Sequence, residues 1–195
     1  MIRRLGTGKA YPTQKESSAP KALYAAAGYS KAKPLRLRLL YNSNPIIKGM
    51  TVALASMWKE ALGVETQLTE EEYRVFLDSR KNREAWDIIR LAWMADYNDA
   101  GDFLSTFRST SPNNDTGYSN AEFDDLLDRA ASIADAKQRR HVLESAERLM
   151  LSEYPVIPLY FLSSKKLVKS YVKGVRLSPL DRIYSKHLSL IPSNY

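Results

Sequence analysis

Residues 35–93 switch repeatedly between the hydrophobic period of a strand and that of a helix, and this alternation constrains the fold more than any other feature of the chain. Leu35, Leu37 and Leu39 alternate with Arg36 and Arg38, the period-two signature of a strand over 35–41. Residues 42–45 read as a turn. Residues 46–62 read as a helix that stops at Gly63. A second strand is expected over 64–68. The spacing of Thr69 and Glu72 predicts a capping box that opens a helix through Lys81. A third strand is expected over 86–93. Strands and helices in this order imply a mostly parallel sheet, because parallel neighbours need a crossover and the crossover helix then covers the sheet. The expected class is α/β, a mixed and mostly parallel sheet flanked by helices.

The flanks read less regularly. Ser18 and Gly28 bracket a short helix over 20–27. After the third strand come a short helix over 102–108 and a polar loop over 109–118. Ser119 and Glu122 suggest a second capping box, with a helix to about 134. Asp135, with Gln138 three residues on, caps a helix to about 152. Two further strands are expected over 156–161 and 166–172, and an extended segment over 174–195.

Composition removes several function classes. There is no cysteine, so disulfides, thiolate metal sites and a cysteine nucleophile are excluded. The two histidines, His141 and His187, are far apart, and no metal or other cofactor is expected. No apolar run reaches the roughly 18 residues of a membrane span. The net charge of +7 is local: residues 1–40 hold nine Lys and Arg against one acid, Glu16. A basic arm can bind nucleic acid or an anionic surface. The favoured reading is a solvated, flexible leader over 1–18, with no nucleic-acid partner, because no nucleic-acid motif accompanies the charge. Arg3 and Arg4 are followed by no apolar segment before Pro20, so no export signal is expected in this chain. No nucleophile–base constellation, phosphate loop or metal spacing is present, and the chain is not expected to be an enzyme.

The third strand empties into Trp93, Met94, Ala95, Asp96, Tyr97 and Asn98. Ligands of open α/β sheets bind outside the carboxyl ends of strands. Trp93 and Tyr97 are candidates to wall a cleft, with core packing as the alternative for Trp93. The Met94–Ala95 backbone offers its donors and acceptors to an extended ligand as an added strand. Asn98 is expected to orient the loop. Asp96 suits an ammonium group, through a charge-assisted hydrogen bond. Arg90 suits a carboxylate, because its fork can hold both oxygens. Its alternative is a buried ion pair with Asp87 or another acid.

The same stretch, Arg90 to Asn98, resembles the oligopeptide-binding proteins of bacterial ABC importers, extracellular solute-binding family 5. Further pieces resemble the family in order from residue 20 to about 192. They include Ala25 to Ser30, Tyr41 with Asn42, and Met57 to Lys59. Phe76 to Arg80, Asn113 with Asn114, and Tyr118 to Asp124 follow. Pro155 to Tyr160 and Pro179 to Tyr184 complete the series. The resemblance implies the C-terminal, second lobe of a two-lobed periplasmic-binding-protein fold over 19–173, incomplete, with a C-terminal crossover segment over 174–195. It implies a periplasmic protein that binds a peptide backbone between lobes and presents it to an inner-membrane ABC permease. It places Asp96 on the peptide's N-terminal ammonium, and Arg90 and Arg80 toward its carboxyl end. Ile47 departs from members that carry a histidine there, which affects the peptide length preferred. The first lobe is expected to be absent, so the chain alone is expected to bind peptide weakly or not at all. Alternatives are another solute, such as a murein peptide, nickel chelate or sugar, or an interaction module built on the basic arm.

Overall fold

The computed structural model describes residues 18–191 apart from Ser164, Leu177 and Pro179. The leader assigned to the N-terminus therefore lies outside the described residues up to Lys15, Glu16 and Ser17, as does the chain after Ile191. The described residues form two compact units, one ending at Ala92 and one beginning at Trp93.

In the first unit, α1 (Ser18–Ala26), β1 (Arg36–Asn42), α2 (Pro45–Leu62), β2 (Glu65–Glu71), α3 (Tyr73–Lys81) and β3 (Ile88–Ile89) follow in order. The sheet runs β2-β1-β3, with β1 parallel to both neighbours. The expected α/β class with a parallel sheet flanked by helices is what the chain forms. Central β1 buries Leu39, Leu40 and Tyr41. Leu40 packs with Phe76 of α3 and with Trp86, flanked by Leu77 and Ile89. Helix α2 is set by its ends: the Asn44 side chain accepts from the N–H groups of Ile46 and Ile47, and Gly63 closes it at φ 83°. A side chain at that left-handed position would be strained, so glycine is the natural stop. Within α2 Val52 is exposed, and Thr51 is the buried residue, its hydroxyl bonded back to Ile47 and Lys48 carbonyls.

Two expectations in this unit are corrected. Thr69 and Glu72 do not form a capping box. Pairing with β1 carries β2 on to Glu71, so Thr69 sits in the strand, and Glu72 itself caps α3 by accepting from Arg74 N–H. The third strand is two residues long rather than spanning 86–93. Trp86 is in the core instead, its indole N–H on the Ser79 carbonyl, and the ladder ends with Arg90 N–H on the Leu40 carbonyl.

In the second unit, α4 (Ala100–Ser105), α5 (Ala121–Ser132) and α6 (Ala136–Ser152) surround one apolar cluster. It holds Leu104, Phe123, Leu127, Ala130, Leu143, Ala146 and Met150. Helix α5 is capped by Asn120 rather than Ser119, through the Phe123 N–H, and α6 by Asp135 through the Gln138 N–H, as expected. Buried Asn114 ties the loop before α5 by donating to the carbonyls of Arg108 and Tyr118. The strands expected over 156–161 and 166–172 are not formed. Ile157, Phe161, Leu162 and Leu167 are exposed, and among the described residues no strand lies beside that stretch to pair with it. The only ladder of this unit among the described residues is β4 (Val172–Lys173) antiparallel to β5 (Ser189–Leu190), with a 3₁₀ turn at Ser185–His187 between them.

Candidate functional site

The loop from Trp93 to Asn98 is held from below by two acids that follow it in sequence. Asp99 caps α4, accepting from Gly101 N–H at 2.7 Å. The same carboxylate takes a two-point ion pair from Arg139 of α6, Nη2 to Oδ1 at 2.8 Å and Nε to Oδ2 at 3.2 Å. Arg139 also donates to the Ala130 carbonyl near the end of α5, so one guanidinium joins all three helices. Gly101 is required by this packing: a Cβ there would stand 2.7 Å from Asp99 Oδ1.

Asp102 is the second support. It lies in the first turn of α4 and is only 5% exposed. Its Oδ2 accepts the Trp93 indole N–H at 2.9 Å and the Asp96 backbone N–H at 3.1 Å. Ala95 is buried between these two anchor points. The alternation of one buried side chain with bonded neighbours leaves the rest of the loop outward. Met94 is 58% exposed, Tyr97 53% and Trp93 38%. Trp93 is therefore not a core residue, and Asp96 and Asn98 are exposed as well.

Among the described residues the Asp96 carboxylate makes no hydrogen bond or ion pair, and the backbones of Met94 and Ala95 make no hydrogen bond. The Asn98 side chain likewise makes none, so the orienting bonds come from Asp102 and Asp99. The loop offers an open carboxylate, open backbone donors and acceptors, and two aromatic faces. That set suits a cationic group attached to an extended polar chain. The surroundings are negative: burial, then Asp102, Asp99 and Asp96, push the Tyr97 phenol upward, while Arg139 opposes them.

Arg139 holds the Asp99 carboxyl below its ordinary value of 3.8, with burial opposing. A carboxylate whose folded value is depressed adds stability that is full above the unfolded value and is lost as pH falls through the folded one. We therefore expect thermal stability to fall on acidification below about pH 4. Asp99→Asn should flatten that part of the curve. Circular dichroism melts across this range check it, and an unchanged slope in the variant would count against the pair.

The arginines expected at the other end of a peptide stand on the first unit. Arg80 is in the last turn of α3, and Arg90 follows β3; both are half-buried. The ion pair considered between Arg90 and Asp87 is not formed. Asp87 is instead held by Arg38 of β1, Nη2 to Oδ1 at 2.9 Å and N–H to Oδ2 at 2.7 Å. Ile47 lies in the first turn of α2. No group of three or more His, Asp or Glu among the described residues is placed to hold a metal ion, and none of their helices is long and apolar enough to cross a membrane.

Sequence reasoning missed Asp102 and the Asp99–Arg139 pair. Asp99 was detectable, as an Asp directly before a small-residue helix start. Asp102 was not, because its bonds run to loop groups that no periodicity marks.

Comparison with known proteins is consistent along the chain. Residues 6–115 match the family described as bacterial extracellular solute-binding proteins, family 5 Middle. The periplasmic oligopeptide-binding protein OppA of Salmonella typhimurium is 38% identical over 179 residues, 91% of this chain and 33% of that protein. The murein tripeptide binding protein MppA of Escherichia coli has a similar structure, with a TM-score of 0.88 at 32% identity, covering 98% of this chain and 39% of that one. OppA of Haemophilus influenzae in complex with RPPGFSPFR superimposes with a TM-score of 0.84 at 34% identity, over 93% of this chain and 36% of that one. The chain thus spans about a third of the length of these relatives.

Proposed function

The chain belongs to the bacterial extracellular solute-binding proteins of family 5, and from that premise we propose that it is the second-lobe part of a periplasmic oligopeptide-binding component of an ABC importer. In this reading residues 19–173 supply the peptide-binding lobe and the segment from Gly174 crosses to the other lobe. The complete assembly delivers peptide to the permease in the inner membrane. Its relatives are solute-binding proteins, and the reading gives the chain binding rather than catalysis.

The observation that supports it most is the Asp96 carboxylate, open among the described residues, on a backbone fixed from behind and beside Met94 and Ala95 backbone groups that pair with none of those residues. Asp96 takes the peptide ammonium. Trp93 and Tyr97 wall the peptide, Met94 and Ala95 pair with its backbone, and Asn98 belongs to the same loop. Arg90 and Arg80 are carried as contacts to the peptide's carboxyl end. The likeness to a murein tripeptide binding protein favours one second reading, a short cell-wall peptide as ligand.

The test is amide NMR of the ¹⁵N-labelled chain with tri- to pentapeptides at millimolar concentration, which detects weak binding. Shifts confined to 93–98 with free peptides, and lost with their N-acetylated forms, are expected. Equal shifts with both forms would overturn the reading, and none with either would overturn its claim that this lobe alone holds the ammonium site. A murein tripeptide that displaces an all-L tripeptide would decide for the second one.

A further inference from the structure

Asp102 has a burial and a bonding pattern that capping does not explain. The cap of α4 is Asp99, whose oxygen takes the Gly101 N–H. The Asp102 side chain bonds forward to nothing in its helix. Its Oδ2 reaches back to the indole of Trp93 and the backbone of Asp96. A carboxylate this buried is costly unless its bonds compensate it. Both donors here are neutral, and among the described residues no cation pairs with it, since Arg139 is committed to Asp99. The acceptor of these two bonds therefore stands directly behind Asp96 and serves the loop rather than the helix.

We propose that Asp102 is the positioning residue of the ammonium site: one buried carboxylate oxygen, bonded to Trp93 Nε1 and Asp96 N, fixes the aromatic wall and the binding carboxylate as a unit. The inference rests on the reading of Asp96 given under the proposed function. An ionised acceptor makes a stronger bond to each N–H than a hydroxyl or amide would. Losing it frees the Trp93 ring and the Asp96 backbone together. The loop must then be ordered by the ligand, at a cost to affinity. Asparagine can still accept both bonds through its amide oxygen but carries no charge, so it separates positioning from electrostatics.

The test uses the ¹⁵N-labelled full chain. Its three tryptophans, Trp58, Trp86 and Trp93, give three indole N–H signals, and Trp93→Phe identifies the relevant one. Without ligand, Asp102→Ala is expected to shift the Trp93 indole signal and speed its exchange with water, leaving Trp58 and Trp86 in place. Asp102→Asn should keep most of the bonded shift. With a free tripeptide, Asp102→Ala should weaken binding about tenfold or more, and Asp102→Asn should recover most of that loss. An unmoved Trp93 indole in the alanine variant overturns the proposal without any ligand. A parent that binds peptide, with an alanine variant that binds equally well, overturns it too. A parent that shows no peptide response overturns the reading that this lobe alone holds the ammonium site, and the proposal falls with it.

Discussion

Replacing Phe123 by alanine is expected to cost the unit beginning at Trp93 about 3–5 kcal/mol. Phe123 is completely buried and sits among Leu104 of α4, Leu127 and Ala130 of α5, and Leu143, Ala146 and Met150 of α6. Its ring also meets Tyr118 edge-on, centroids 5.4 Å apart at 77°. Alanine removes the aromatic ring and leaves a cavity that three helices must collapse to fill. A loss of this size is a large part of the roughly 5–15 kcal/mol that stabilises a domain. Urea denaturation followed by circular dichroism measures it, as a fall in midpoint. Val75→Ala, at an exposed position of α3, is the control and should change stability by less than about 0.5 kcal/mol. The same packing holds α4 against α6, where Asp99 meets Arg139. The alanine variant should therefore also loosen the loop and broaden the Trp93 indole signal. A loss below about 1 kcal/mol would mean that Phe123 is not central to this core.

What could be read from sequence divides along a physical line. Helix α2 was legible to within one residue, because Asn44, Pro45 and Gly63 encode its ends locally. Helix α6 was legible for the same reason, through Asp135 and Gln138. Strand β1 was legible from its alternating leucines. Strands without a local marker were not: β3 is short because Trp86 turns into the core, and the apolar stretch from Val156 to Phe161 forms no strand because a strand requires a neighbour. The capping box at Thr69 failed because pairing with β1 outweighed a local helix signal. Within the candidate site, Asp96 was reached through residue chemistry and family resemblance. Asp102 and Arg139 lay out of reach, since each acts across a distance in sequence on a group with no pattern of its own. Local chemistry marks which groups can meet a ligand; tertiary contacts decide what holds them there.

Asp96→Ala is expected to remove the response to peptides with a free amino terminus. An ion pair left in water is worth about 0–1 kcal/mol. One that a ligand covers costs about 2–5 kcal/mol when a partner is lost, roughly 30-fold or more in affinity. Asp96 is exposed in the free chain and has no partner among the described residues, so it carries no structural bond whose loss would confuse the result. Asp96→Asn keeps the side-chain size and removes the charge, and should behave nearly as badly. The decisive form is a cycle. Acetylating the peptide removes the ammonium, and Asp96→Ala removes the carboxylate. If the two groups bind each other, either change alone abolishes most of the affinity, and both together abolish no more. Titrations of parent and variant with free and acetylated tripeptide supply the four affinities. Losses that simply add would mean that Asp96 and the ammonium act on different partners, and the assignment of Asp96 would be wrong even if the chain binds peptide.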